Sequence, residues 1–382
     1  MNKKVKYTGL ALALALSFTA CSNDSNKEST QGSANVVSES NVSSNSNNNS
    51  NINSSEDSNA LSSNASNEDS KKAASFSEED IVLRRALSAP HGEGAFARVA
   101  VVTQGDTILA AALDEFQYFD EEGFNALPNQ DGDQEFKEGS LEGKVLGSKL
   151  ENNEEYSKLM EEKADSKVSI SDNFRAIEDF VAGKTIGEIE DLIADSEDGK
   201  AIDAVSGATL VDTKAYLTSI VDAAKNDDYA VKADTQNVDN LDLKSAFGTR
   251  NTEKAVVDVF VLLQNDTIVA TSIDEYQYFG ENGVPNSDKK FGENYADDKK
   301  QLASKLENDR AYSDMMIEHA KATKDLSENY KAIEEFTKGK TAEDIKKTAD
   351  ENEEGKPVDA VSGATLTDTV GYLDVIYDAA TN

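Results

Sequence analysis

One eight-residue segment occurs twice in the chain and contains the residues best suited to covalent chemistry. The sequence Asp-Ala-Val-Ser-Gly-Ala-Thr-Leu spans 203–210 and returns at 359–366. In each copy a threonine, Thr209 or Thr365, follows small residues and precedes an amphipathic stretch. Its hydroxyl has two candidate roles, as the cap of the following helix or as a site of covalent attachment. Positions just beyond the segment differ between the copies, so its repetition favours a functional role.

The other residue types exclude several kinds of redox and metal chemistry. Cys21 is the only cysteine, and its expected acylation leaves no thiol for a disulfide, an iron–sulfur cluster or a thioether-bound haem. His91 and His319 are the only imidazoles, and neither lies in a zinc-type spacing. They align with Asn251 and Lys163 in the other copy of the repeat, which excludes a shared ligand role. Redox chemistry here would require an organic cofactor.

The octapeptide belongs to a long internal repeat. The copies are offset by 160 residues at their start and by 156 at the octapeptide, so the first has a few extra residues in the loop near 120–147. A period of this length predicts tandem domains, because solenoid units are much shorter. The expected domains are 76–228 and 229–382. The matching pairs are Gln104–Phe119 with Gln264–Phe279, Ser148–Met160 with Ser304–Met316, and Asn173–Thr185 with Asn329–Thr341.

Each copy has the pattern of a small antiparallel sheet followed by helices. Apolar, partly β-branched runs flank Gly105-Asp106 and Asn265-Asp266, which predicts two hairpins. Helical spacing of apolar residues follows, with Gly183 and Gly339 as helix stops. The last predicted helix of the first copy spans Leu210 to Ala224, directly after the octapeptide. The expected class is therefore α+β, present twice. The hairpin strands are Ala97–Thr103 with Thr107–Leu113, and Val256–Leu263 with Thr267–Ile273.

A repeated aromatic group stands at the end of each second hairpin strand. Aromatic residues in such a strand are more often part of the core than a stacking platform for a cofactor, so we expect a core role. The group consists of Phe116, Tyr118 and Phe119, with Tyr276, Tyr278 and Phe279.

The octapeptide resembles the flavinylation motif of FMN-binding domains such as those of NqrC and RnfG, subunits of ion-pumping redox complexes. In that family an ApbE-type flavin transferase links FMN through its phosphate to the motif threonine. The resemblance implies two covalent FMN groups, on Thr209 and Thr365. The motif positions it marks as cofactor-binding are Asp203, Ser206, Gly207 and Ala208 in the first copy, and Asp359, Ser362, Gly363 and Ala364 in the second.

The residue types around the threonine agree with this implied modification. A hydroxyl that displaces AMP from FAD must enter another enzyme's active site, and Gly207 and Ala208 leave it accessible. The phosphodiester retains a negative charge, which we expect the N-terminus of the following helix to stabilise. By resemblance only, Asp203 and Asp359 serve transferase recognition or loop geometry.

The start of the chain has the pattern of an export signal with a lipid anchor. Lysines precede a short apolar run that ends in small residues before Cys21, and the run is too short to span a membrane. The segment Ser-Phe-Thr-Ala-Cys resembles a lipoprotein lipobox, although Phe18 replaces the usual leucine; an ordinary signal with an incidental cysteine is the alternative. We expect a signal peptide at 1–20, then a lipidated Cys21 and a disordered Ser/Asn-rich tether over 21–75.

Composition limits the partners. The formal net charge is −35, which argues against nucleic-acid binding because phosphate contacts need clustered lysine and arginine. The same charge argues against direct adsorption to anionic lipid. We interpret it as a solvated surface of an exported protein, with attraction of metal cations as the alternative.

In overall layout the chain is similar to flavinylated lipoproteins of extracellular electron transfer in Gram-positive bacteria. This resemblance implies a carrier on the outer face of the cell membrane, reduced by a quinol-linked membrane donor. Its acceptors would be extracellular, such as ferric iron or soluble flavins, and any ferric reductase activity would belong to the flavins. The alternative is a surface lipoprotein that binds a solute or partner without a cofactor. A cleaved signal peptide acting as a pheromone would be compatible with either function.

Overall fold

The structure is a computed structural model that describes residues 75–250, 252–280 and 282–382. The predictions for the signal peptide, Cys21 and the tether lie outside these residues, except for position 75. Antiparallel sheets and helices follow one another along the described chain, which confirms the α+β class. Within these residues no helix is long and apolar enough to cross a membrane.

The first copy of the repeat forms strands β1 to β4 and helices α1 to α4. Gly105, at φ 57°, takes the left-handed conformation that the two-residue hairpin loop requires. The sequence prediction had missed the strand that precedes the hairpin. The elements are β1 Ile81–Ser88, β2 Ala95–Gln104, β3 Thr107–Asp120, β4 Lys144–Ser148, α1 Asn153–Ala164, α2 Ile170–Val181, α3 Ile186–Asp195 and α4 Thr213–Ala224.

The second copy repeats this order from β6 to α8. The short strand β5 between the copies pairs with β1, so the connecting segment adds an edge strand to the first sheet. The sheet orders are β4-β3-β2-β1-β5 and β6-β7-β8-β9. The elements are β5 Val231–Lys232, β6 Leu241–Gly248, β7 Ala255–Gln264, β8 Thr267–Tyr278, β9 Leu302–Ser304, α5 Asp309–Ala320, α6 Leu326–Thr337, α7 Ala342–Asp350 and α8 Thr369–Thr381.

The predicted hairpins and helix stops are confirmed, but the start of the last helix in each copy is not. Helix α2 ends at Val181, and Gly183 follows it at φ 81°. Helix α4 begins at Thr213, three residues later than the apolar pattern predicted. The Thr213 side chain donates to the Leu210 carbonyl oxygen at 2.6 Å, which closes a turn ahead of the helix.

Side chains alternate between the two faces of the central strands, so one set packs within its own copy and the other packs between the copies. On β2, Val99 and Val101 pack with the helices of their own copy, as Val259 and Val261 do on β7. The alternate residues face the other way, because successive strand side chains point to opposite faces. They form two apolar clusters to which both sheets contribute, and one of these contains Phe96, Phe116, Tyr118 and Tyr276. The core role predicted for the aromatic group is thus confirmed for its buried members.

The two copies also exchange polar contacts, and together they lie in one compact unit. The Asn129 side chain donates to the carbonyl oxygens of Thr252 and Ala255, at 2.8 and 2.6 Å. Asn286 donates to the equivalent oxygens of the first copy, those of Gly92 and Ala95, both at 2.7 Å. Such reciprocity is the pattern of a twofold-symmetric interface.

A buried ion cluster lies between the sheets. Asp258 on β7 accepts hydrogen bonds from Arg98 on β2 and from Arg85 on β1, the latter at 2.5 Å. All three side chains are at most 5% exposed. The cluster therefore couples the two copies through charges that are almost completely shielded from water.

Candidate functional site

The octapeptide forms two consecutive tight turns on the surface of each copy. The Val205 N–H donates to the Ile202 carbonyl at 2.9 Å, and the Ala208 N–H donates to the Val205 carbonyl at 3.1 Å. Every third residue, Ile202, Val205 and Ala208, is buried, whereas Ser206 and Thr209 are exposed. The second copy has the same pair of turns. The apolar residues thus anchor a loop that presents its hydroxyls to solvent.

Glycine in the middle of each segment is required by the backbone. Gly207 has φ +99° and Gly363 has φ +100°, a region that residues with a Cβ rarely adopt. A Cβ on Gly207 would also lie 3.2 Å from the Cβ of Ala176 on α2, and one on Gly363 would lie 3.3 Å from that of Ala332. The loop therefore both turns and approaches a helix closely at this residue.

Each motif threonine is bound to a buried asparagine of the preceding helical region. Asn173 on α2 accepts the Thr209 backbone N–H at 2.6 Å and the Thr209 hydroxyl at 3.3 Å, through one atom, Oδ1. Asn329 on α6 does the same for Thr365, at 2.7 and 3.1 Å. Both asparagines are 0% exposed. The same side-chain type at the same place thus holds both threonines.

Helix α2 is itself fixed against the sheet edge, so the asparagine has a defined position. The segment after α2 pairs with β3: Gly183 N–H donates to Ile108 O and Ile108 N–H donates to Lys184 O, at 2.8 and 2.9 Å. At the other end, the Ser169 hydroxyl caps the helix by accepting the Asp172 N–H. The position of Thr209 therefore depends on the sheet through α2.

A carboxyl on each of these helices also binds the sheet. Glu178 accepts the Leu113 N–H at 2.7 Å, and Glu334 accepts the Ile273 N–H at 3.0 Å. Burial, the largest cause, raises the pKa of each carboxyl to about 7, while the N–H bond opposes the shift. Both groups therefore titrate near neutral pH.

The helix that follows each motif threonine begins at an aspartate. Helix α4 has Asp212, not Thr209, as its N-cap, so the threonine does not cap the helix. The Asp212 carboxylate pairs with His91 at 2.6 Å, and its counterpart Asp368 pairs with Arg250. Carboxylates thus occupy the start of both helices, which disfavours a phosphate there.

The surroundings of the two octapeptides differ in charge. Lys324 donates from Nζ to the Gly363 carbonyl oxygen at 2.5 Å, whereas its counterpart in the first copy is Val168. Beside Ser206 lies an open depression whose lining includes Ala176, Phe180 and Arg175. The backbone of the second loop is thus bound by a lysine at a position where the first copy has valine.

The remaining motif residues lie where the loop exposes or anchors them. Asp203 and Asp359 are exposed, as are Ser206 and Ser362, while Ala208 is buried and Ala364 is half-buried. Asn173 and Asn329 are not among the site residues that the sequence motif predicts. A signal was present, because both open a matched stretch of the repeat, Asn173–Thr185 and Asn329–Thr341.

No model of a known protein family, no curated protein and no solved structure matches this chain. Among the described residues, no group of three or more histidine, cysteine or acidic side chains is arranged to hold a metal ion. The two threonine loops are thus the best candidates for a functional site, on their sequence motif and their geometry.

Proposed function

We propose that this protein is an electron carrier with two covalently bound FMN groups, one on Thr209 and one on Thr365. Each group would belong to its own copy of an FMN-binding domain. The observation that carries the proposal is the duplicated loop, in which an exposed threonine follows a glycine at φ +99° or +100° and is bound by a buried asparagine. Two occurrences of this geometry within one chain favour a shared chemical role over two helix caps.

The proposed attachment is a phosphoryl transfer catalysed by an ApbE-type transferase. The threonine oxygen forms a bond to the flavin-side phosphorus of FAD, and the bond between that phosphorus and the bridging oxygen breaks. AMP leaves with the bonding electrons, and the hydroxyl proton is transferred to a base of the transferase or to water. The exposed turn at Gly207 and Thr209 supports access by a second enzyme, because neither residue is covered by the fold.

Bound FMN supplies one- and two-electron chemistry through its ring, while the protein holds it in place and tunes its surroundings. A covalent link keeps the cofactor on a protein outside the membrane, where a dissociable flavin would be diluted. We propose that Cys21 carries a lipid anchor on the outer face of the membrane of a Gram-positive cell. Electrons would come from a quinol-linked membrane donor and pass to ferric iron, soluble flavins or other extracellular acceptors.

The direct test is the intact mass of protein co-produced with an active ApbE-type transferase, followed by peptide mapping. Two FMN-phosphoryl additions are expected, with one on each octapeptide and yellow absorbance that survives denaturation. Thr209→Ala and Thr365→Ala should each remove one addition. The matched controls are Thr218→Ala and Thr367→Ala, which remove exposed threonine hydroxyls outside the octapeptides and should leave both additions. An unmodified wild-type chain, with the transferase active on a control substrate, would favour the solute- or partner-binding alternative.

A further inference from the structure

The side-chain amide of the asparagine beside each threonine has one defined orientation. Asn173 donates from Nδ2 to the carbonyl oxygens of Val168 and Ser169, at 3.2 and 2.8 Å. These two bonds orient the amide, so Oδ1 must face Thr209. Since the Thr209 N–H donates to the same oxygen at 2.6 Å, the asparagine is fixed from both ends.

This orientation determines the role of the hydroxyl. An amide oxygen only accepts hydrogen bonds, so the Thr209 hydroxyl, 3.3 Å away, must be the donor. Its proton then lies toward the protein, and its lone pairs are left for an attacking direction away from Asn173. An exposed hydroxyl without such a partner would rotate among several staggered positions. Asn173 therefore favours one rotamer of the Thr209 hydroxyl.

The second copy retains this feature while its surroundings change. Asn329 donates from Nδ2 to the Asp325 carbonyl at 2.8 Å and accepts both the N–H and the hydroxyl of Thr365. Ser169 and Val168 of the first copy are replaced here by Asp325 and Lys324. The element common to both copies is the oxygen that faces the threonine.

We propose that Asn173 and Asn329 are positioning residues for flavin attachment, an inference that rests on the proposed function. Each holds its threonine oxygen ready to attack the flavin-side phosphorus of FAD. An amide is not a base, so the O–H bond turns from Oδ1 toward a base of the transferase or water, which takes the proton, while AMP departs with the electron pair of the broken P–O bond. After attachment the oxygen has no proton to donate, but the backbone N–H still binds Oδ1 and keeps the loop in place.

The duplication provides an internal control for the test. In Asn173→Ala, the rate of FMN addition at Thr209, followed by peptide mapping over time, should fall roughly 10- to 100-fold, the range expected when a nucleophile loses its alignment. The rate at Thr365 in the same molecules should be unchanged. Asn329→Ala should give the reverse. A ratio of the two rates that stays at its wild-type value in both variants would overturn the inference, whereas a wild-type chain that accepts no FMN would instead overturn the proposed function.

Two further variants separate positioning from a loss of stability. Asn173→Asp keeps an oxygen that can face Thr209 and, only when protonated, one O–H donor for the carbonyl oxygens of Val168 and Ser169, so the rate at Thr209 should exceed that of Asn173→Ala and rise as the pH is lowered. A rate as low as that of Asn173→Ala would contradict the inference. Asn152→Ala is the matched control, because Asn152 is also fully buried and fastens a loop, accepting the Asn125 N–H at 2.6 Å. In this variant Thr209 and Thr365 should each be modified at the wild-type rate.

Discussion

Replacement of Gly207 by alanine tests whether the octapeptide is held in the conformation that the structure shows. Gly207 has φ +99°, and an alanine there would be held in a sparsely populated region at a cost of about 1–3 kcal/mol. The new Cβ would lie 3.2 Å from the Ala176 Cβ, a tight contact with a helix fixed to the sheet. Both effects lower the free energy of unfolding.

The size of the effect can be converted to a melting temperature. For domains of 150–250 residues, 1 kcal/mol corresponds to about 2–4 °C. The two copies form a larger unit, so the lower end of that range applies and Gly207→Ala should lower Tm by about 2–6 °C. Thermal denaturation followed by circular dichroism measures this shift directly.

The matched control is Gly187→Ala, in the first turn of α3. Gly187 is exposed, has an ordinary φ and would meet no atom within 4 Å of a new Cβ. Alanine favours the helix over glycine by up to about 1 kcal/mol, so this variant should be as stable as the wild type or more so. A Gly207→Ala protein that melts with the wild type would refute the assigned loop conformation, as would equal losses in both variants.

Three further changes test the carboxyl, the ion cluster and the difference between the two sites. Burial raises the pKa of Glu334 to about 7, so the folded state binds more protons than the unfolded state between about pH 4.5 and 7. Stability therefore falls as the pH rises through that window. Glu334→Gln should raise Tm at pH 8 and change it little at pH 4. Asp258→Ala leaves two buried arginines without their shared carboxylate and should cost about 3–5 kcal/mol in urea denaturation. Lys324→Gln removes the cation beside Gly363 and should slow FMN addition at Thr365 without changing the rate at Thr209.

Each of these has a result that would contradict it. A Tm gain for Glu334→Gln that is the same at pH 4 and pH 8 would show that the wild-type carboxyl does not titrate in that window. A loss of unfolding free energy for Asp258→Ala no larger than that of a surface substitution, usually within about 0.5 kcal/mol, would contradict the inference that the cluster couples the copies. Equal slowing at both threonines in Lys324→Gln would indicate a global effect.

The repeat made several features of the fold predictable. Two-residue loops with glycine or asparagine between β-branched runs indicated both hairpins, because the turn conformation is a local property of those residues. The helix stops at Gly183 and Gly339 were predictable for the same reason. The later start of α4 was not, because the apolar pattern continues through Leu210, while the side chain of Thr213 closes a turn on the Leu210 carbonyl.

The sequence by itself determined the duplication, the α+β class and the segment that carries Thr209 and Thr365. These depend on short-range patterns: periodicity, turn residues and a glycine whose φ only glycine readily adopts. The tertiary structure decided which partner each threonine meets. Asn173 lies 36 residues from Thr209, and the two meet because α2 and the octapeptide pack into the same core of the first copy. The pairing of Arg98 with Asp258 was decided in the same way, because these residues lie on different sheets and meet only when the two sheets pack together.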